Sequence, residues 1–282
     1  MRLLHGRPLA ERLNARSRER SDALRARDIH PALAAISVGI DPAANTYLQR
    51  LVRGGKAIGI VVRDITLSHD ATEPAVIAEL DRASRDPRVH GVLLLTPLPG
   101  KLDEGHLVDH IAADKDVEGV NPYNVGLLLD GRPRFVPSTA EAIVELLKFH
   151  EIPVGGVNVV VIGRSTVVGR PAAALLLNAD ATVTVAHKRT SDVAAVTRGA
   201  AVVIVAVGRA WFLTGNMISP GATVIDAGIN VTPAGVAGDV DADSVASIAG
   251  ALSPVPGGVG TVTTALLLRN VLTAAETQTA GG

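Results

Sequence analysis

The chain has 282 residues, 47% of them apolar and only 2% aromatic, with a formal charge of −1. Near-neutrality argues against a nucleic-acid binder working through bulk electrostatics, and the absence of cysteine excludes disulfides, zinc–thiolate sites and cysteine nucleophiles. The opening residues, MRLLHGRPLAER, carry no apolar h-region and no stretch of about 18 uncharged apolar residues follows, so a soluble, cytoplasmic protein with no membrane partner is expected.

The first predicted element is a charged amphipathic helix over Pro8–Arg27. Its arginines are interleaved with Glu11, Glu19, Asp22 and Asp28, the pattern of a solvated face and not of a phosphate groove. Ala32–Gly39 (ALAAISVG) reads as a strand, and Pro42–Ile58 as a helix closed by Gly59. Ile60–Arg63 is a short strand and Pro74–Ser84 a helix. Val89–Leu95 is a strongly apolar strand ended by Pro97 and Pro99, and Glu104–Ile111 is a short helix. Strand–helix units of this length favour a parallel sheet with right-handed crossovers. Ser138-Thr139-Ala140-Glu141 has the form of a capping box opening a helix to about His150, a natural crossing point between domains. Four apolar strands follow, Val157–Ile162, Ala181–Val185, Ala201–Val207 and Ala222–Asp226. Helical patterns separate the first three, and a loop with room for a short helix separates the last two. The loop Pro254–Gly260 (PVPGGVG) leads into a final helix over about Val262–Thr277, with a frayed tail to Gly282.

The most informative stretch is VVVIGRSTVVGRP, Val159–Pro171. Val159–Ile162 reads as a buried parallel strand, Gly163 permits a tight turn, and a helix starts from Val167 with Pro171 in its first turns. Free N–H groups and the helix dipole then converge on one point, the arrangement that holds a dinucleotide pyrophosphate. The full G-x-G-x-x-G is absent, because Ser165 and Val168 take the second and third glycine places. Ser165 is still small, and its hydroxyl is able to donate to a phosphate. An ordinary strand–helix turn would also need Gly163.

The next strand, ATVTV, is followed by Ala186-His187-Lys188-Arg189-Thr190. An NAD site would place a carboxylate there for the ribose 2′-hydroxyl. Two permanent cations stand there instead, with Arg164 as a third, which suits the 2′-phosphate of NADP. The next strands end in Val207-Gly208-Arg209 and Ala227-Gly228-Ile229-Asn230. Glycines at strand C-termini let a cofactor lie across the sheet edge. The eight histidines show no HExxH spacing. His106 and His110, four apart, read as a solvated helix pair and not as metal ligands, and no metal is expected.

Collinear segments along nearly the whole chain carry a resemblance: DPAANTY (Asp41–Tyr47), TPLP (Thr96–Pro99), DKDVEGVNPYNVG (Asp114–Gly126), VVVIGRSTVVGRP, VIVAVG (Val203–Gly208), VIDAGIN (Val224–Asn230), GDV (Gly238–Val240) and SPVPGGVGTVT (Ser253–Thr263). With these the chain resembles the bifunctional methylenetetrahydrofolate dehydrogenase/methenyltetrahydrofolate cyclohydrolase family. The resemblance implies an α/β protein of two domains. A folate-binding catalytic domain, 1–138 completed by 259–282 and its C-terminal helix, would accompany a Rossmann-type NADP domain, 139–258. It also implies a homodimer, with a reduced folate bound in the cleft. The cofactor would meet Gly163, Arg164, Ser165, Val168, Gly169, His187, Lys188, Arg189, Val207, Gly208, Gly228 and Ile229. The substrate would meet Tyr47, Pro97, Leu98, Glu118, Pro256, Gly257, Gly258 and Thr263.

The departures from the family pattern bear on chemistry. Four residues after Tyr47 the family has a lysine where this chain has Leu51, and ahead of Pro97 it has a glutamine where this chain has Leu95. Lysine and glutamine normally touch, so two leucines amount to one apolar swap of a polar pair. The family's aspartate is here Glu118, and its proline after GGVG is Thr261. Hydride transfer from a methylene bridge moves no proton, so positioning and electrostatics suffice, and Glu118 is suited to the pterin amidine. Hydrolysis of the methenyl product needs a general acid/base, which a leucine cannot be. Tyrosine, titrating near pH 10, is a poor base; Arg50 stays protonated, and Lys56 points elsewhere around its helix. The expectation is an NADP-dependent methylenetetrahydrofolate dehydrogenase with weak or absent cyclohydrolase activity. Two alternatives stay open, an NADP oxidoreductase acting on another cyclic amine and a non-catalytic NADP- or folate-binding paralogue.

Overall fold

A computed structural model describes residues 1–100, 102–233 and 235–280. In chain order the elements begin with β1 (Arg2–Leu3), α1 (Arg7–Arg25), β2 (Ala32–Val38), α2 (Pro42–Ile58), β3 (Val61–Leu67), α3 (Glu73–Arg85), β4 (Gly91–Leu94), α4 (Glu104–Val108) and α5 (Pro122–Leu129). They continue with α6 (Ser138–Phe149), β5 (Asn158–Ile162), α7 (Gly169–Leu177), β6 (Thr182–Ala186), α8 (Val193–Thr197), β7 (Val202–Val205) and β8 (Thr223–Asp226). The last are β9 (Asn230–Thr232), β10 (Gly235–Ala237), α9 (Ala242–Val245), β11 (Ala251–Leu252) and α10 (Thr263–Thr279). The chain forms two units, one of Arg12–Val136 with the residues from Thr264 onward, the other of Met1–Glu11 with Pro137–Thr263.

The first unit holds a parallel sheet of three strands in the order β3-β2-β4. β2 is buried on both faces, so its sequence is apolar except for Ser37, and successive residues feed opposite sides. Leu33 and Ala35 join one apolar cluster, with residues of α2 and α10. Ala34, Ile36 and Val38 join another, with Val76 and Leu80 of α3. α2 has the bounds the sequence predicts. The Asp41 carboxylate accepts from the N–H groups of Ala43 and Ala44, both at 2.9 Å, and Gly59 closes the helix at φ +82°. β3 is longer than the expected Ile60–Arg63 and pairs with β2 over all seven of its residues. It is an edge strand, so Asp64, just past the expected end, is one of its exposed positions, while Arg63 pairs with Asp86 at 3.0 Å. α5 is an addition to the predicted set. Asn121 caps it, accepting from Tyr123 N–H at 2.9 Å, and Pro122 starts it.

The second unit holds a six-stranded parallel sheet in the order β1-β11-β8-β7-β5-β6. All four strands predicted here are present. β1 and β11, two residues each, are missing from the prediction, because a two-residue strand has no period to read. So are α9 and the antiparallel β9–β10 hairpin. The short helix expected between β7 and β8 is a 3₁₀ turn at Gly215–Met217. α6 starts at Ser138 with Pro137 in the cap position, so Ser138 is the first helical residue and not the cap that a capping box requires.

The unit boundaries differ from the expected division 1–138 with 259–282 against 139–258. Residues 1–11 belong with the six-stranded sheet, because Arg2 N–H bonds Gly250 O at 2.8 Å, Leu4 N–H bonds Leu252 O at 2.9 Å, and Leu4 is fully buried. Val259–Thr263 stay there too. The α10 helix runs to Thr279, past the point where fraying was expected, and residues 281–282 lie outside the described residues. Among the described residues no helix is long and apolar enough to cross a membrane.

Candidate active site

In an open parallel sheet, ligands sit beyond the strand C-termini where the strand order reverses. β5 has β6 on one side and β7 on the other, so the reversal in the six-stranded sheet falls at β5. Gly163 follows at φ +122°, and a Cβ there would lie 2.1 Å from Ala206 O. A Cβ on Gly169 would lie 2.2 Å from Gly163 O. The close strand–helix approach therefore falls on Gly169, and not on Val168 as the motif spacing predicts. Val168 is the residue before the helix, which starts two residues later than expected. The Ser165 hydroxyl oxygen accepts from Val168 N–H at 3.2 Å and Gly169 N–H at 3.4 Å, which leaves its proton to donate outward. Among the described residues, the N–H groups of 164–167 have no acceptor within the protein. Open donors ahead of a helix N-terminus form an anion site.

Ile162 pairs in register with Ala186, so Arg164 and Lys188 each stand two residues beyond neighbouring strand ends, on one edge. His187–Thr190 is a tight turn. Thr190 Oγ1 accepts from His187 N–H at 2.9 Å, and Arg189 N–H donates to His187 Nδ1 at 3.2 Å. Arg164, Lys188 and Arg189 are exposed and, among the described residues, have no carboxylate partner. At the end of β7, Gly208 adopts φ +64°. The N–H groups of Val207, Gly208 and Arg209 all bond the carboxylate of Asp239, and Gly228 lies against that same carboxylate. Ile229 beside it is 65% exposed. Asp226, ending β8, is buried, and burial pushes its carboxyl up to about 6. Sequence reasoning missed both aspartates as site-builders, since GDV served only as a marker of resemblance.

In the three-stranded sheet β2 has β3 on one side and β4 on the other, and the reversal again falls at a strand C-terminus. The loop after β2 leads to α2, which carries Tyr47 and Leu51, and β4 leads to Leu95. Leu51 is fully buried and Leu95 is 4% exposed, both in the apolar cluster with Leu48, Val117 and Phe135. Tyr47 is half-buried and packs on that cluster. The Thr96–Pro97 bond is cis, Pro97 is exposed, and Leu98 packs on the other face of the sheet. Glu118, half-buried, sits in a turn fixed from both sides. The buried Asp116 carboxylate accepts from Gly119 N–H at 3.0 Å and Asn121 N–H at 2.8 Å, and Asn270 Nδ2 donates to Val117 O at 2.9 Å. Gly119, at φ +71°, lies so close to Phe135 that a Cβ would come within 2.5 Å of its carbonyl oxygen.

Of the other basic groups of this unit, Lys115 and Lys56 lie towards the strand N-termini, and His69 lies at the C-terminal end of β2. Lys115 is buried, its ammonium pulled down by desolvation, and its Nζ donates to Asp86 O at 2.8 Å, near the start of β4. His69 lies beside Gly39, on the β3 side of β2. Arg50 is exposed, and Lys56 lines a surface hollow with Arg25 and His30. His106 and His110 pair with Glu73 and Asp81, at 2.7 and 3.5 Å. Among the described residues no group of three or more metal-binding side chains exists.

Pro256, Gly257, Gly258 and Thr263 belong to the six-stranded unit, whereas Tyr47, Pro97, Leu98 and Glu118 belong to the other. The loop Pro254–Gly260 packs on the N-terminus. Gly6 N–H bonds Gly257 O at 2.8 Å, and a Cβ on Gly6 would lie 2.3 Å from Gly258 O. Thr261 donates its hydroxyl to Gly258 O at 2.6 Å, which a proline cannot do.

Residues 4–118 match the family described as tetrahydrofolate dehydrogenase/cyclohydrolase, catalytic domain, and residues 137–279 match its NAD(P)-binding domain. A bifunctional protein FolD of Nocardia farcinica is 50% identical over 274 residues, covering 97% of each chain. The crystal structure of the bifunctional FolD enzyme of Campylobacter jejuni superposes with a TM-score of 0.96 at 37% identity, over 98% of this chain and 99% of that one. The methylenetetrahydrofolate dehydrogenase-cyclohydrolase of Trypanosoma brucei, solved with NADP cofactor and an inhibitor, gives a TM-score of 0.93 at 33% identity, over 98% and 97%.

Proposed function

The chain belongs to the tetrahydrofolate dehydrogenase/cyclohydrolase family, and on that premise we propose that it oxidises 5,10-methylenetetrahydrofolate to 5,10-methenyltetrahydrofolate with NADP while hydrolysing the methenyl product weakly or not at all. The observation that carries the split is the full burial of Leu51, where the family resemblance puts a lysine, in the same apolar cluster as Leu95.

The residues at the six-stranded edge fit a dinucleotide. The open N–H groups of 164–167 and the Ser165 hydroxyl meet the pyrophosphate. Arg164, Lys188 and Arg189, without a carboxylate among them, meet a 2′-phosphate and disfavour NAD. Gly163, Val168, Gly169, His187, Val207, Gly208, Gly228 and Ile229 shape the surface on which it lies. Bound there, NADP supplies the acceptor for the hydride.

At the three-stranded edge Tyr47, Pro97 and Leu98 flank the folate, and Glu118 binds the pterin amidine and steadies the positive charge left on the one-carbon bridge. The resemblance also assigns Pro256, Gly257, Gly258 and Thr263 to the substrate. The leaving hydride takes two electrons from the bridge C–H bond, and a nitrogen lone pair closes the C=N bond, so no side chain has to move a proton. Water addition does require a proton carrier, and leucine at position 51 provides none. The protein acts as a homodimer, as the resemblance implies.

The test is steady-state NADPH formation from 5,10-methylenetetrahydrofolate, run with NADP and with NAD. Turnover with a strong preference for NADP is expected. NADP binding without folate turnover would instead assign the protein to another cyclic amine or to a binding role.

A further inference from the structure

We propose that Asp239 is a positioning residue for the dinucleotide, its carboxylate fixing the backbone after β7 in the shape that meets the cofactor. The inference rests on reading this edge as the cofactor's.

Asp239 is fully buried. Its Oδ2 accepts from Val207 N–H at 2.6 Å and Gly208 N–H at 2.9 Å, and its Oδ1 accepts from Arg209 N–H and Asn230 Nδ2, both at 2.9 Å. Three consecutive N–H groups thus form a concave nest, of the kind that elsewhere receives a ligand's anion. Here the chain's own carboxylate fills it from below. Among the described residues no cation pairs with Asp239, so its charge is carried by N–H donors alone. Four donors on two oxygens require a carboxylate; an asparagine would turn an NH₂ towards two of them.

The surroundings are built to hold this group. Asp226 accepts from the N–H groups of Asp239 at 2.9 Å and Val240 at 3.0 Å, so one buried carboxylate fixes the segment that carries the other. A Cβ on Gly228 would lie 2.2 Å from Asp239 Cγ, and one on Gly238 would lie 1.9 Å from Asp226 Oδ2. With the N–H groups of 207–209 turned inward, the opposite side of the loop is open; nothing lies within 4 Å of a Cβ at Gly208. The two strand ends so braced, β7 and β8, lie on the β7 side of the phosphate turn. The brace therefore sets the floor for the part of the cofactor beyond the pyrophosphate.

Trp211 makes this measurable. It is the chain's one tryptophan, 56% exposed, at φ +56°, and its N–H donates to Gly238 O at 3.2 Å. Its emission therefore reports on the braced loop.

NADP is titrated into the wild-type chain, Asp239→Asn and Asn230→Ala, following Trp211 fluorescence, and KM is measured for NADP and for methylenetetrahydrofolate. In Asp239→Asn the Kd and KM for NADP rise by at least about 10-fold, the equivalent of one charge-assisted hydrogen bond. The folate KM stays within about twofold, since that substrate touches neither residue. Asn230→Ala keeps the three backbone bonds and weakens NADP by about threefold, and it decides the matter if Asp239→Asn does not fold. Wild-type affinity in the folded variants, or an equal rise in both KM values, overturns the proposal while leaving the cofactor reading intact. No NADP binding by the wild-type chain overturns both.

Discussion

At the scale of single residues, the chemistry turns on what the buried positions hold. Leu51 is fully buried. A lysine there loses hydration, and burial pulls its pKa down towards the range of a working base. Leu51→Lys with Leu95→Gln is therefore expected to create methenyl hydrolysis at least about tenfold above the wild-type chain, because amide and amine satisfy each other where either alone is left unpaired. No gain in a folded double variant would mean that the cleft has been reassigned away from folate. Asp226 gives a pH prediction. Burial raises its folded pKa from 3.8 to about 6, so between those values the folded state holds a proton that the unfolded chain has released. Its contribution to stability is full below about pH 4, falls as pH rises to about 6, and is flat beyond. Relative to Asp226→Asn, the wild-type chain should lose on the order of 2–3 kcal/mol across that window in denaturant titrations. A constant difference from pH 4 to 7 would contradict this.

At the scale of elements, what the sequence disclosed depended on local punctuation. α2 was legible to the residue because Asp41, Pro42 and Gly59 mark both ends by distinct mechanisms. Asp41→Ala should cost about 1 kcal/mol in chemical denaturation, the usual worth of an N-cap. The phosphate turn was legible in kind but not in register. Gly163 announced it, while the role of the third glycine moved to Gly169 because the turn holds one residue more. β1 and β11 were not legible, since their partners lie about 250 residues apart in sequence and two residues carry no alternation. β3 was cut short because Asp64 mimics the start of a loop, although an edge strand tolerates charge at exposed positions. The Asp239 brace had only one local partner, Asn230. Three of its four donors are backbone groups some 30 residues away, which no residue type encodes.

At the scale of the whole molecule, each unit carries one parallel sheet whose order reverses at an interior strand, and at each reversal the residues suit one half of a reaction. The six-stranded unit offers donors and cations to a phosphorylated dinucleotide. The three-stranded unit offers a carboxylate beside apolar walls. Together these equip the chain for hydride transfer and leave proton transfer without a carrier at position 51. The decisive measurement is the loss of methenyltetrahydrofolate absorbance with and without the wild-type chain, at an enzyme concentration already shown to turn over methylenetetrahydrofolate and NADP. Decay at the buffer rate is expected in both. Enzyme-dependent loss that keeps pace with NADPH formation would contradict it.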